Sequence, residues 1–101
     1  MPEFPGGTVE LLGYLKKNIK YPKESLENGI QGRVIVQFIV NRDGKIVDPV
    51  ITRSVDPFID KEALRLVSNM PKWEPGEQRG KPVRVKFTLP IQFRLQSPTN
   101  K

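Results

Sequence analysis

The sequence predicts an α+β fold. It is an α/β two-layer sandwich of order α-β-β-α-β, in which two helices cover one face of a three-stranded antiparallel sheet with strand order 2-1-3. Three observations carry this reading. Apolar residues recur at helical spacing in two stretches, they alternate with period two in two others, joined by a hairpin turn to a return strand in the first case, and prolines are spread unevenly over the strands. At 101 residues the chain has the length of one domain. We read 1–101 as a single unit with an irregular lead-in over 1–7 and a flexible tail over 96–101.

The lead-in MPEFPGG holds two prolines and two glycines. Thr8 is placed to cap the first helix, whose apolar face is predicted from Val9, Leu12, Leu15 and Ile19. Glu10 lies in its first turn and Lys16 and Lys17 in its last, as the helix dipole favours. Pro22 and Asn28-Gly29 bracket at most a short helical turn. From Arg33 the period becomes two. Val34, Val36, Phe38 and Val40 share one face, and Arg33, Ile35, Gln37 and Ile39 the other. Asp43-Gly44 marks a tight hairpin turn into a return strand over 46–54. Asp56 before Pro57 is an N-cap with proline at the first helical position. Ile59, Ala63, Leu66, Val67 and Met70 form the second helix's apolar face, Lys61, Glu62 and Arg65 a solvated one, and Pro71 the stop. Residues 72–82 read as a loop, with Trp73 pinning the Pro75-Gly76 turn against the second helix.

The final element alternates over thirteen residues, 83–95. Val83, Val85, Phe87, Leu89, Ile91, Phe93 and Leu95 take the odd positions, and Arg84, Lys86, Thr88, Pro90, Gln92 and Arg94 the even ones. Such a strand has one buried and one wet face. Pro49 and Pro90 assign the second and third strands to edges, because proline cannot donate to a ladder; the first strand carries none and takes the centre.

The chain contains neither Cys nor His. That excludes disulfides, thiolate zinc sites, cysteine nucleophiles and Ser-His pairs. Asp56 and Asp60 stand one helical turn apart but read as an N-cap and a first-turn acid. Gly6-Gly7 and Gly76 with Gly80 lack phosphate-loop spacing. We expect no catalytic residue, metal or cofactor. The longest nearly apolar stretch, 34–40, falls far short of a membrane span, which needs about 20 residues. The 17 basic against 11 acidic residues give a net charge of +6 and favour an anionic partner. Nucleic acid is not expected, because Phe38, Phe87 and Phe93 fall on the buried phase and leave no stacking platform. The long edge strand is the functional anomaly. It offers unpaired backbone groups to an extended peptide, by strand addition.

The motifs also occur in a telling order. Tyr21-Pro22 is followed by Gly32-Arg33-Val34, Asp43-Gly44, Lys72-Trp73-Glu74-Pro75-Gly76 and the long last strand, and this series resembles the TonB C-terminal domain. The opening PEFPGG and Met70-Pro71-Lys72-Trp73 look like the Bacteroidetes-type version. The resemblance implies a periplasmic energy transducer whose full-length form is anchored in the inner membrane. There an N-terminal helix meets a proton-driven motor of ExbB/ExbD type, and this chain would be the isolated domain. The domain would grip the TonB box of outer-membrane TonB-dependent transporters. The resemblance places docking beside the last strand, at Arg84, Val85, Lys86, Phe87, Thr88, Leu89, Pro90, Ile91 and Gln92, with Tyr21 and Pro22 near the same groove. Gly32, Asp43, Gly44, Trp73, Pro75 and Gly76 would be structural. A cell-wall (peptidoglycan)-binding module, or the TonB-like domain of a membrane metallopeptidase-like sensor, is the alternative. The sequence leaves homodimerisation open.

Overall fold

The computed structural model describes residues 2–95. The tail expected over 96–101 lies outside the described residues. In chain order the elements are α1 (Thr8–Asn18), α2 (Lys23–Glu27), β1 (Gly32–Val40), β2 (Ile46–Arg53), α3 (Pro57–Ser68), β3 (Gly76–Gln78), β4 (Lys81–Val83) and β5 (Val85–Phe93). The main sheet has the order β2-β1-β5 and both its pairings are antiparallel. This is the 2-1-3 arrangement expected from the prolines.

The core forms where the strand alternation meets the helices. Val34, Val36, Phe38 and Val40 of β1 are buried, as are Leu89, Ile91 and Phe93 of β5 and Ile59, Ala63, Leu66 and Val67 of α3. Helix α3 packs over β1 and β2. Asp56 caps it as expected, its Oδ1 accepting the Ile59 N–H at 2.7 Å. Its Oδ2 accepts a hydrogen bond from the fully buried Ser25 hydroxyl at 2.9 Å, which ties α2 to α3. Asp60 accepts from the Val55 N–H at 3.0 Å and from the Ser54 hydroxyl, so both aspartates are structural.

Several sequence expectations are corrected. Thr8 is the first helical residue, and Gly7 is the N-cap with no side-chain cap. The buried face of α1 is Leu11 and Leu15, while Val9 and Leu12 are exposed at 78% and 61%. Apolar residues at 9, 11, 12, 14, 15 and 19 cover more than half the helix circumference, so periodicity alone cannot choose the inward face. A tertiary bond chooses it: Tyr14 donates its hydroxyl to the Leu66 carbonyl at 2.8 Å. Glu62, expected in solvent, is buried. It accepts from Arg65 at 2.7 Å and from the Lys20 N–H at 2.7 Å, and Arg65 in turn donates to the Asn18 carbonyl at 2.9 Å. Helices α1 and α3 are thereby joined at α1's C-terminal end.

The stretch 72–82 contains a short hairpin, β3 with β4, rather than a plain loop. Its turn uses Arg79 and Gly80 at φ 56 and 78, the left-handed pair that a two-residue hairpin requires. The alternating run is therefore shared between two partners. Val83 ends β4 against Gly76, Arg84 belongs to no strand, and Val85 begins β5 against Val40.

Trp73 is buried as expected, in the same core cluster as Ile59, Ala63, Leu66 and Val67 of α3. It sits among Phe4, Phe38 and Phe87 at ring separations of 5.8, 5.4 and 5.0 Å. Its indole Nε1 has no acceptor among the described residues, so packing holds the ring. Its backbone N–H donates to the Gly44 carbonyl at 2.9 Å. Gly44 has φ 88, and a Cβ there would lie 2.1 Å from the Trp73 carbonyl oxygen. The Asp43-Gly44 turn and the Lys72–Gly76 segment are thus one packed unit. The lead-in is irregular yet anchored: Glu3 and Glu74 exchange backbone bonds of 2.9 and 2.7 Å, and Phe4 enters the aromatic cluster.

Candidate functional site

A sheet of three strands has two outer edges, and here they differ. The pairing of β2 with β1 breaks register twice, between Ile35 and Val36 and between Gln37 and Ile39. Asp48, beside Pro49, has φ 53. Such irregularities bend an edge and spoil it as a template. The pairing of β5 with β1 runs from Gly32↔Phe93 to Val40↔Val85 without a shift. The outer edge of β5 is therefore the regular one.

Which backbone groups face outward follows from one hydrogen bond. In a strand, the N–H and C=O of one residue point to one neighbour and those of the next residue to the other. Thr52 Oγ1 donates to the Ile35 carbonyl at 3.3 Å, which turns Ile35 toward β2. Val34, Val36, Phe38 and Val40 then turn toward β5, where their register partners are Ile91, Leu89, Phe87 and Val85. Those four supply β5's half of the ladder. Lys86, Thr88, Pro90 and Gln92 aim their backbone groups away from the sheet. Pro90 has no N–H, and in the outward set its absence leaves the ladder intact. The outward edge offers the N–H groups of Lys86, Thr88 and Gln92 and the carbonyls of all four residues.

Beside this edge lies an apolar groove of about 560 Å³, between the C-terminal half of β5 and the helices. Ile91 and Phe93 form its floor, and Leu15, Ile19, Tyr21 and Leu26 its walls. Tyr21 is held there by donating its hydroxyl to the Ile30 carbonyl and by an edge-on contact with Phe93 at 5.7 Å. Burial, with the Asp56 carboxylate adding to it, pushes its phenol above the ordinary tyrosine range, so it stays a neutral donor. Pro22 lines a separate, smaller cleft with Tyr21, Phe58 and Glu62.

The structure thus sorts the sequence-predicted residues. Tyr21, Ile91 and Gln92 meet in one groove. Lys86, Thr88 and Pro90 are exposed along the edge above it. Val85, Phe87 and Leu89 turn inward, where Phe87 packs on Trp73 and Leu89 is buried. Arg84 lies outside the strand and Pro22 outside the groove. Gly32 opens β1 opposite Phe93, and Asp43, Gly44, Trp73, Pro75 and Gly76 lie in or beside the turn unit. The lysine N–H that Asp43 accepts at 3.0 Å, with Lys45 and Lys72 nearby, holds its carboxyl below the usual range. Sequence reasoning missed the helical wall of Leu15, Lys16, Ile19 and Leu26. Its one signal was the double apolar coverage of α1. No group of three or more His, Cys, Asp or Glu that could hold a metal ion occurs among the described residues. No helix among them is long and apolar enough to cross a membrane.

The fold and its motif series define a known class. The family of the Gram-negative bacterial TonB protein C-terminal matches residues 17–95, and the chain belongs to it. Two solution structures of pieces of the Helicobacter pylori TonB C-terminal domain share the fold. The one spanning residues 194–285 of that protein has a TM-score of 0.66 and 22% identity, covering 88% of this chain and 94% of that one. The one spanning residues 179–285 has a TM-score of 0.64 and 25% identity, covering 92% of this chain and 88% of that one. No curated protein matches the chain.

Proposed function

We propose that this domain is a periplasmic energy-transducer module that takes the TonB box of an outer-membrane transporter as an added strand on the outer edge of β5. Through a preceding membrane helix and linker, an inner-membrane motor of ExbB/ExbD type would load the domain for nutrient import. The observation that carries the reading is the contrast of edges: β5 is paired without a register shift over nine residues, while β2 is bulged twice. The docking role of Lys86, Thr88, Pro90 and Gln92 is part of this proposal, as is Tyr21 in the flanking groove. Each added backbone bond contributes about 0.5–1.5 kcal/mol net. Six or so, less the ordering of the peptide, give affinity on the order of micromolar, suited to repeated release. Titration with a TonB-box peptide, read by backbone amide NMR, tests it. The Lys86, Thr88 and Gln92 amides should shift most, and a response confined to other elements would overturn it.

One observation favours a second reading. Arg42 from the β1–β2 turn meets Arg79 and Lys81 of the β3–β4 hairpin in a cleft whose lining has no carboxylate. Such a cationic end suits the anionic polymer of the cell wall. Retention on purified peptidoglycan, lost in an Arg42→Ala/Arg79→Ala double variant, would support it.

A further inference from the structure

The edge of β5 runs between two unlike walls. Side chains that sit side by side in a sheet share a face. Residues of an added strand opposite Ile91 and Phe93 therefore point to the helix side, into the groove of Leu15, Ile19 and Leu26. Leu26 is 54% exposed there, an apolar rim left in water. The volume of about 560 Å³ falls within the usual range of about 300–1,000 Å³ for binding pockets. Residues opposite Lys86 and Gln92 point to the open side. That side carries Arg33, Lys86 and Arg94, all exposed, and neither β1 nor β5 contains a carboxylate. The salt bridge among the described residues is Glu62–Arg65, so none of these three cations is neutralised by a carboxylate among them.

Resting on the docking reading above, we propose that this pair of walls selects the partner's side chains. The preferred segment alternates, with bulky aliphatic residues facing the groove and acidic residues facing Lys86 and Arg94. Leu26 and Ile19 are then specificity residues for the aliphatic positions, and Lys86 and Arg94 for the acidic ones. A residue opposite Lys86 lies about 4.5–5.5 Å away between Cβ atoms, and one opposite Gln92 is a diagonal neighbour of Arg94 at about 7–8 Å, both within reach of a long acidic side chain. A second copy of this chain is a poor occupant, since its own β5 brings the same cations to the same edge.

The test uses the 101-residue chain and three synthetic ten-residue peptides. The first alternates valine and glutamate, the second valine and lysine, the third serine and glutamate. Binding is measured by titration at low and high salt, with amide NMR showing whether each peptide lies on β5. The valine-glutamate peptide should bind at least about tenfold more tightly than either of the others, a difference of about 1.4 kcal/mol. Its advantage over the lysine peptide should shrink as salt rises. The Lys86→Glu/Arg94→Glu variant should reverse the order of the glutamate and lysine peptides. The Leu26→Ser/Ile19→Ser variant should erase the preference for valine over serine while the Thr88 amide still shifts. Equal affinities for peptides that all shift the β5 amides would overturn the selection and leave docking intact. Failure of every peptide to shift them would overturn both. Concentration-dependent self-association that shifts the same amides without peptide would assign the edge to a second copy and overturn the selection.

Discussion

Trp73, Gly44 and Glu62 each couple segments distant in the chain. Trp73 stands where the lead-in, β1 and β5 converge, and truncating it opens a cavity among three phenylalanine rings. Trp73→Ala should cost about 3–5 kcal/mol, read from the urea midpoint. Gly44→Ala adds a side chain at a positive φ and drives it into the Trp73 carbonyl, so about 2 kcal/mol or more should be lost. Glu62 makes a pH prediction. Burial pushes its carboxyl up, but the hydrogen bonds from Arg65 and the Lys20 N–H outweigh this and hold it below the ordinary value of 4.5. A carboxyl depressed in the folded state contributes stability above its unfolded pKa and loses it as pH falls through the folded one. Glu62→Gln should therefore cost about 1–2 kcal/mol at pH 7. The gap between variant and parent should narrow below about pH 4.5, as thermal melts across pH will show. An unchanged gap would mean that the carboxylate's charge is not what matters.

Among the elements, β5 was the most legible and yet the most mislocated at its start. Its alternation is a property of the chain and survives in full, from Val83 to Leu95. Alternation cannot say which partner a strand pairs with, and Lys81–Val83 spends its hydrogen bonds on β3. The prolines gave the strand order because a missing N–H is a local fact with a global consequence. Helix α1 was misread for the opposite reason: its rotation depends on Tyr14 reaching Leu66, and its junction with α3 on Glu62 reaching Lys20, contacts 52 and 42 residues apart that no local pattern records. Of the candidate edge, the strand and Tyr21 were legible, while the helical wall was not. The outward and inward sets on β5 give a paired prediction. Thr88→Pro removes a donor that the fold does not use, so circular dichroism should show an intact fold while peptide affinity falls at least about tenfold. Leu89→Pro removes a ladder bond to Val36 and should destabilise the fold itself by about 3 kcal/mol or more.

At the scale of the whole molecule, the strand proposed for docking and the lead-in share one aromatic cluster. Phe4 and Phe87 both pack on Trp73, so the lead-in and β5 are held by the same ring. In the proposed role, load entering at the lead-in reaches β5 through packed side chains rather than through a flexible joint. A partner strand lying along β5 would carry that load over several bonds in shear. Weak equilibrium binding then accompanies resistance to a pull along the strand. All of this depends on where the partner sits, and amide hydrogen exchange of the domain with and without a saturating TonB-box peptide tests that most directly. The Lys86, Thr88 and Gln92 amides, exchanging quickly in the free domain, should become protected by peptide, while the Val85, Phe87, Leu89 and Ile91 amides, already bonded to β1, should change little. Protection appearing on β2 or at the hairpin ends, with Lys86, Thr88 and Gln92 still exchanging freely, would contradict it.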